Sequence, residues 1–211
     1  MYKTSHAPIV IIDNIVNNFI PYRQLKTLNT DFSNDKIISE LSDKGFFKIE
    51  TTNINNDSTI IIILNPQHKC SIEKSAFDEK IIVPLEKQFK STNFKEAIIL
   101  IENELYNSKK NIIAKVLSTQ EMYPNVKINI YKYSVFVINI PKHESVDEHV
   151  LISEKDLLSE LHDYSTLDSI KFIKVTDPPI IWLGGNIGQY VKVIKKSLTA
   201  GLSVDYYKVI A

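Results

Sequence analysis

Residues 177–210 read DPPIIWLGGNIGQYVKVIKKSLTAGLSVDYYKVI, and the punctuation of this stretch decides the fold of the C-terminal third. Proline suits the first position of a helix, so Pro178 to Leu183 reads as one short helical turn. Tyr190 to Ile194 and Leu202 to Val209 alternate apolar and polar residues, as half-buried strands do, and join across Lys195 to Gly201. The chain has only five glycines, and four of them, Gly184, Gly185, Gly188 and Gly201, lie here. Glycine is the residue for positive φ and tight turns, so this part must be compact and turn-rich. Valine at Gly188 or Gly201 is expected to distort its turns.

Working outward, Ser153 and Asp156 form a capping-box-like start for a helix through Leu157, Leu158 and Leu161. Ile170 to Val175 reads as a strand. These elements make a small α+β unit. Pro141 and the charged stretch KHESVDEH mark residues 141–149 as a linker, with domains at 1–141 and 142–211.

In the N-terminal domain, Val10, Ile11, Ile15, Phe19 and Tyr22 follow helical spacing, as do Ile37, Ile38 and Leu41 before a stop at Gly45. Phe47 to Thr51 and Thr59 to Leu64 read as a hairpin across NINNDS. Ile72 to Phe89 carries a helical face divided at Pro84. Ala97 to Ile101 reads as a strand, and Ser108 as the N-cap of a helix bearing Ile112, Ile113, Val116 and Leu117. Lys127 to Tyr131 and Val135 to Ile140 close the domain as strands. Helices alternating with strands predict an α/β domain with a mixed sheet.

Composition narrows function. Lysine plus arginine and aspartate plus glutamate both number 25, and Arg23 is the only arginine. Arginine's planar fork grips phosphates and guanine edges bidentately, so an autonomous sequence-specific DNA binder is disfavoured. No run is long and apolar enough to span a bilayer, and MYKTSHAP lacks the apolar stretch of a secretory signal. The single cysteine, Cys70, fits a reducing compartment and excludes a cysteine-only metal cage.

The motifs that resemble chemistry fail on spacing. In HESVDEH the two histidines are six residues apart, which turns the second roughly 240° from the first on a helix, so neither His143 and His149 nor His162 makes a metal site. GGNIG is followed by a strand pattern and no GK[ST], unlike a phosphate loop. Cys70 near His68 is chance-level spacing, and no GxSxG elbow exists. No cofactor is expected. The enzyme alternative is a metal-dependent nuclease, or an adaptor derived from one, built on the N-terminal domain.

The 177–210 stretch resembles the C-terminal signature of the fifth common subunit of multisubunit DNA-directed RNA polymerases, a family with an archaeal relative. Asp177, Pro178, Trp182, Gly184, Gly188, Gln189, Val191, Lys192, Ser197, Thr199, Ala200 and Gly201 fall in register with it. His143, Glu148 and His149 match the stretch that opens the same domain. Lys196 and Leu198 stand where the family has Pro and Glu. The DPP-x-x-WLGG form resembles members encoded by large cytoplasmic DNA viruses.

The resemblance implies a two-domain chain: a nuclease-like α/β jaw over 1–141 without catalytic residues, and an assembly domain over 142–211. It implies a non-catalytic subunit, one copy in a hetero-oligomer, docked on the largest subunit near the sixth common subunit. His149, Asp177, Pro178, Trp182, Gly184, Gly188, Thr199, Ala200 and Gly201 are the expected assembly residues. Ser108, Lys109 and Lys110 are expected nearest to downstream duplex DNA, which is contacted weakly and only within the complex. A viral member is expected in the host cytoplasm and the virion, and a cellular one in the nucleus.

Overall fold

The computed structural model describes residues 7–28, 31–91, 93–161, 167, 170–197 and 201–211. It divides into two compact units, Met1–Val137 and Ile138–Ala211. This division falls four residues before the one read from Pro141.

The first unit opens with α1 (Ala7–Asn14), a π-helical turn (Ile15–Phe19) and α2 (Ile20–Tyr22), one continuous helix through most of the spacing read from the sequence. A two-residue β1 (Lys26–Thr27) and α3 (Asn34–Asp43) follow, and then the hairpin of β2 (Phe46–Thr52) and β3 (Ser58–Leu64). In the hairpin turn Asn53 Oδ1 accepts from the backbone of Asn55 and Asp57, both at 2.9 Å, an Asx geometry that replaces the missing glycine. Three short helical pieces, α4 (Lys69–Ile72), α5 (Lys74–Phe77) and α6 (Val83–Gln88), flank a second π turn (Asp78–Ile82), with Pro84 in the first turn of α6. Then come β4 (Phe94–Ile101), α7 (Asn103–Ser108), α8 (Lys110–Met122) and β5 (Lys127–Lys132).

The sheet order is β1-β2-β3-β4-β5. The first three strands are antiparallel, and β3, β4 and β5 are parallel, so the sheet is mixed. Parallel strands are covered on both faces, which demands near-continuous apolar runs. The run Ile60 to Leu64 meets that demand: every residue is buried. Ile60, Ile62 and Leu64 pack with Phe77, Ile81 and Val116, while α1 lies against β3 as well. Truncating one such isoleucine to alanine costs about 2–5 kcal/mol.

The segment Val135 to Ile140 is not a strand. It holds parts of two 3-10 turns, Tyr133–Phe136 and Ile140–Lys142. Tyr133 and Phe136, three apart, are both buried, which is the period of a 3-10 turn.

The second unit holds β6 (Glu148–Ile152), α9 (Glu154–Glu160), β7 (Lys171–Lys174), α10 (Pro178–Leu183), β8 (Tyr190–Ser197) and β9 (Gly201–Ile210), with sheet order β6-β8-β9-β7. Ser153 caps α9 by accepting from Asp156 N at 3.1 Å. Gly184, at φ 73°, ends α10. Its N–H donates to Ile181 O and that of Gly185 to Ile180 O, the Schellman pattern. A Cβ on Gly185 would lie 2.7 Å from Ile180 Cγ2, which explains the doublet. Residues 148–149, read as linker, begin β6 instead.

Candidate functional site

Two regions carry the expected site residues, one in each unit. In the second unit, antiparallel pairing fixes which side chains share a face. His149 pairs with Val193, and Val193 with Asp205, so all three point to the face on which Ile180 packs with Val191, Val193 and Val209. His149 is half-buried, with Nδ1 at 2.7 Å from Asp147 O. On the same face Asp205 bridges Lys195 at 2.7 Å and Lys171 at 3.3 Å. These two lysines hold its carboxyl below the usual carboxylate range, while the Asp205 hydrogen bond raises Lys195.

The opposite face carries α9, with Leu157 packed on Ile170 and Tyr190. At the end of this helix Glu160 accepts from Lys192 Nζ and from Tyr206 Oη, both at 2.6 Å. The two bonds lower the Glu160 pKa. Burial, aided by Glu160, pushes the Tyr206 phenol up to about 12.

The remaining assembly candidates divide by exposure. Asp177 starts α10, its backbone carbonyl accepting from Ile180 and Ile181, and its Oδ2 accepts from Lys174 N at 3.2 Å. Pro178 is exposed beside it. Trp182 is fully buried, so its indole supports the fold rather than offering an open contact surface. Gly188 and Gly201 take φ of 90° and 74° with nothing within 4 Å of an added Cβ. A side chain there meets open space, and the cost is that of the backbone alone. Thr199 and Ala200 lie outside the described residues, as does His162.

In the first unit, Ser108 is not an N-cap. It is the last residue of α7, and its Oγ donates to Glu104 O at 2.9 Å. Lys109 occupies the junction and Lys110 begins α8. Glu102 caps α7 through Leu105 N, a role the sequence did not signal because glutamate is uncommon there. The α7–α8 corner follows the C-terminal end of β4, the side on which open α/β sheets place their sites. Lys132, at the end of β5, sits 5.1 Å from the Tyr106 ring centroid, adding a third lysine to this region.

Arg23 is a residue whose role the sequence did not disclose. Its Nη1 donates to Glu96 Oε2 at 2.7 Å, and Lys127 Nζ lies 3.9 Å from the other oxygen. Glu96 is buried. Burial lowers the Lys127 pKa although Glu96 opposes this. Among the described residues no group of three or more His, Cys, Asp or Glu is arranged to hold a metal ion.

The region 138–210 matches the family model described as RNA polymerase Rpb5, C-terminal domain. The chain is 30% identical over 194 residues to the DNA-directed RNA polymerase RPB5 homolog of a Kenyan pig isolate of African swine fever virus, covering 88% of this chain and 89% of that protein. The homolog from a Namibian warthog isolate of the same virus is 30% identical over 186 residues, with the same shares. Subunit RPABC1 of DNA-directed RNA polymerases I, II and III from Caenorhabditis briggsae is 30% identical over 132 residues, covering 62% of this chain and 60% of that one.

Proposed function

Because this chain belongs to the RNA polymerase Rpb5 family, we propose that it serves as a non-catalytic subunit of a virus-encoded multisubunit DNA-directed RNA polymerase. The observation that carries this reading is an identity of 30% running through 88% of the chain, both units included. In this reading the 142–211 domain docks on the largest subunit, near the sixth common subunit, through the surface that includes His149, Asp177, Pro178, Gly184, Gly188, Thr199, Ala200 and Gly201. The 1–141 domain is the jaw, held beside downstream duplex DNA with Ser108, Lys109 and Lys110 nearest to it. The site of action is the host cytoplasm, with packaging in the virion.

Charge supports this division of labour. Residues 1–141 carry 17 basic against 15 acidic side chains, and residues 142–211 carry 8 against 10. Neither half is basic enough to hold DNA alone, so protein contacts must position the jaw. Arg23 is tied to Glu96, which leaves phosphate contacts to lysine. The Glu96 carboxylate faces two cations in a buried setting, which does not favour the nuclease alternative.

Co-expression with the two largest subunits of the same polymerase tests the proposal. One copy of the chain is expected to co-purify per polymerase. A chain that stays free, or that cleaves DNA with a divalent metal, overturns it.

A further inference from the structure

Four elements of the first unit meet at one junction: the end of α3, the start of β2, the end of β3 and the start of α4. Asn65 ties them together. Its backbone N–H donates to Gly45 O at 2.8 Å, and its Nδ2 donates to Leu41 O at 2.9 Å. Its carbonyl accepts from His68 N at 3.1 Å and from Ser71 Oγ at 2.6 Å. Cys70 is buried and donates its thiol to Gly45 O at 3.1 Å.

His68 closes this junction. It precedes α4, and its Nδ1 accepts from Cys70 N at 3.2 Å as the helix cap. The half-buried ring also fills the space over Gly45, where an added Cβ would overlap Nδ1 and Cγ. A ring nitrogen that accepts carries no proton, so the imidazole is neutral with its hydrogen on Nε2. Protonation of Nδ1 would set N–H against N–H, break the cap and push the ring off the glycine. The surroundings oppose the charge as well. Burial lowers the His68 pKa, and the ammonium groups of Lys80, from the second π turn, and Lys69, from α4, lower it further. Cys70 beside it stays neutral, because burial pushes its thiol up.

We propose that His68 is an acid-operated latch on the first turn of α4. Neutral, it caps the helix and shuts the space between Gly45 and Cys70. Protonated, it swings out, frees that turn and opens the Cys70 thiol to solvent. The sign follows from linkage: a ring that binds its proton more readily when the latch is open favours the open form as pH falls below about 6.5. At pH 5 the gain reaches about 30-fold at most, the value for a closed ring that takes up no proton. The latch is independent of the subunit reading.

Cys70 is the sole cysteine, so its reaction with 4,4′-dithiodipyridine reads the latch in the full chain. Comparison with the urea-unfolded chain at the same pH removes the thiol's own titration and gives a protection factor. In wild type this factor is expected to fall about 3- to 30-fold from pH 7.5 to pH 5. His68→Asn, whose side-chain oxygen caps without titrating, is expected to stay protected at both values, and His68→Ala to be poorly protected at both. Urea melts by circular dichroism at each pH give the exposure through global unfolding, which the wild-type loss is expected to exceed. Flat protection in wild type, the same fall in His68→Asn, or a loss that global unfolding accounts for overturns the inference. So does an imidazole pKa at or above about 6.5 in an NMR titration of wild type.

Discussion

Arg23, the one arginine of the chain, lies 2.7 Å from Glu96 on the interior strand β4, with both side chains largely out of solvent. A buried carboxylate left with a distant partner is costly, about 3–5 kcal/mol when one member of such a pair is removed. Arg23→Ala therefore destabilises the N-terminal unit by about that much. Glu96→Gln, which keeps hydrogen-bonding capacity, costs less. Urea unfolding followed by circular dichroism checks the order; equal stability of Arg23→Ala and wild type would refute the role of the pair.

Glycine positions separate into tight and open ones. Gly45 has φ 86°, and an added Cβ would stand 2.0 Å from His68 Nδ1 and 2.6 Å from Cys70 Sγ. Its carbonyl also accepts from Cys70 Sγ at 3.1 Å. Gly45→Ala is thus strained in both backbone and packing, and costs about 3 kcal/mol or more. Gly188→Ala costs only about 1–2 kcal/mol, the backbone share. Comparing the two thermal melts decides whether the neighbours matter.

The sequence made some of this legible and hid the rest for identifiable reasons. The hairpin of β2 and β3 was readable because Ile60 to Leu64 is a continuous apolar run beside turn formers. The short α10 was readable because Pro178 suits the first position of a helix and glycines follow it. β6 was hidden: it is an edge strand beginning with Glu148 and His149, and its charged start resembles a linker. Val135 to Ile140 misled in the other direction, since its apolar residues satisfy strand alternation while the chain uses the three-residue spacing of Tyr133 and Phe136. Pairing across strands, which sets Leu202 and Val204 apart from Ser203 and Asp205, follows from the alternation. Which of the two faces α9 covers does not.

Acid should loosen the C-terminal unit through Glu160 and Asp205. Both carboxyls are held below their usual range by lysine contacts, with Tyr206 adding to Glu160. A depressed pKa contributes stability that is present above the unfolded value, about 4 for carboxyls. That contribution is lost as pH falls through the lowered folded value. Trp182, the sole tryptophan and fully buried, reports this unit by fluorescence. The urea midpoint should fall below about pH 4, and the fall should be shallower in a Glu160→Gln, Asp205→Asn double variant. An unchanged acid limb in that variant would show that other groups control it.

DNA binding by the free chain should be weak, for a reason that starts at Arg23. Held by Glu96, that guanidinium offers no fork to phosphate, and the α7–α8 corner supplies Lys109 and Lys110 as point charges. Each phosphate neutralised on duplex DNA contributes about −0.9 to the slope of log K against log salt. With Lys132 beside them, three lysines give a slope no steeper than about −3. Fluorescence anisotropy with a short duplex measures it, and Lys109→Ala with Lys110→Ala should flatten it further without changing stability. A slope several times steeper, or tight binding at physiological salt that survives the double substitution, would place the DNA surface elsewhere on the chain.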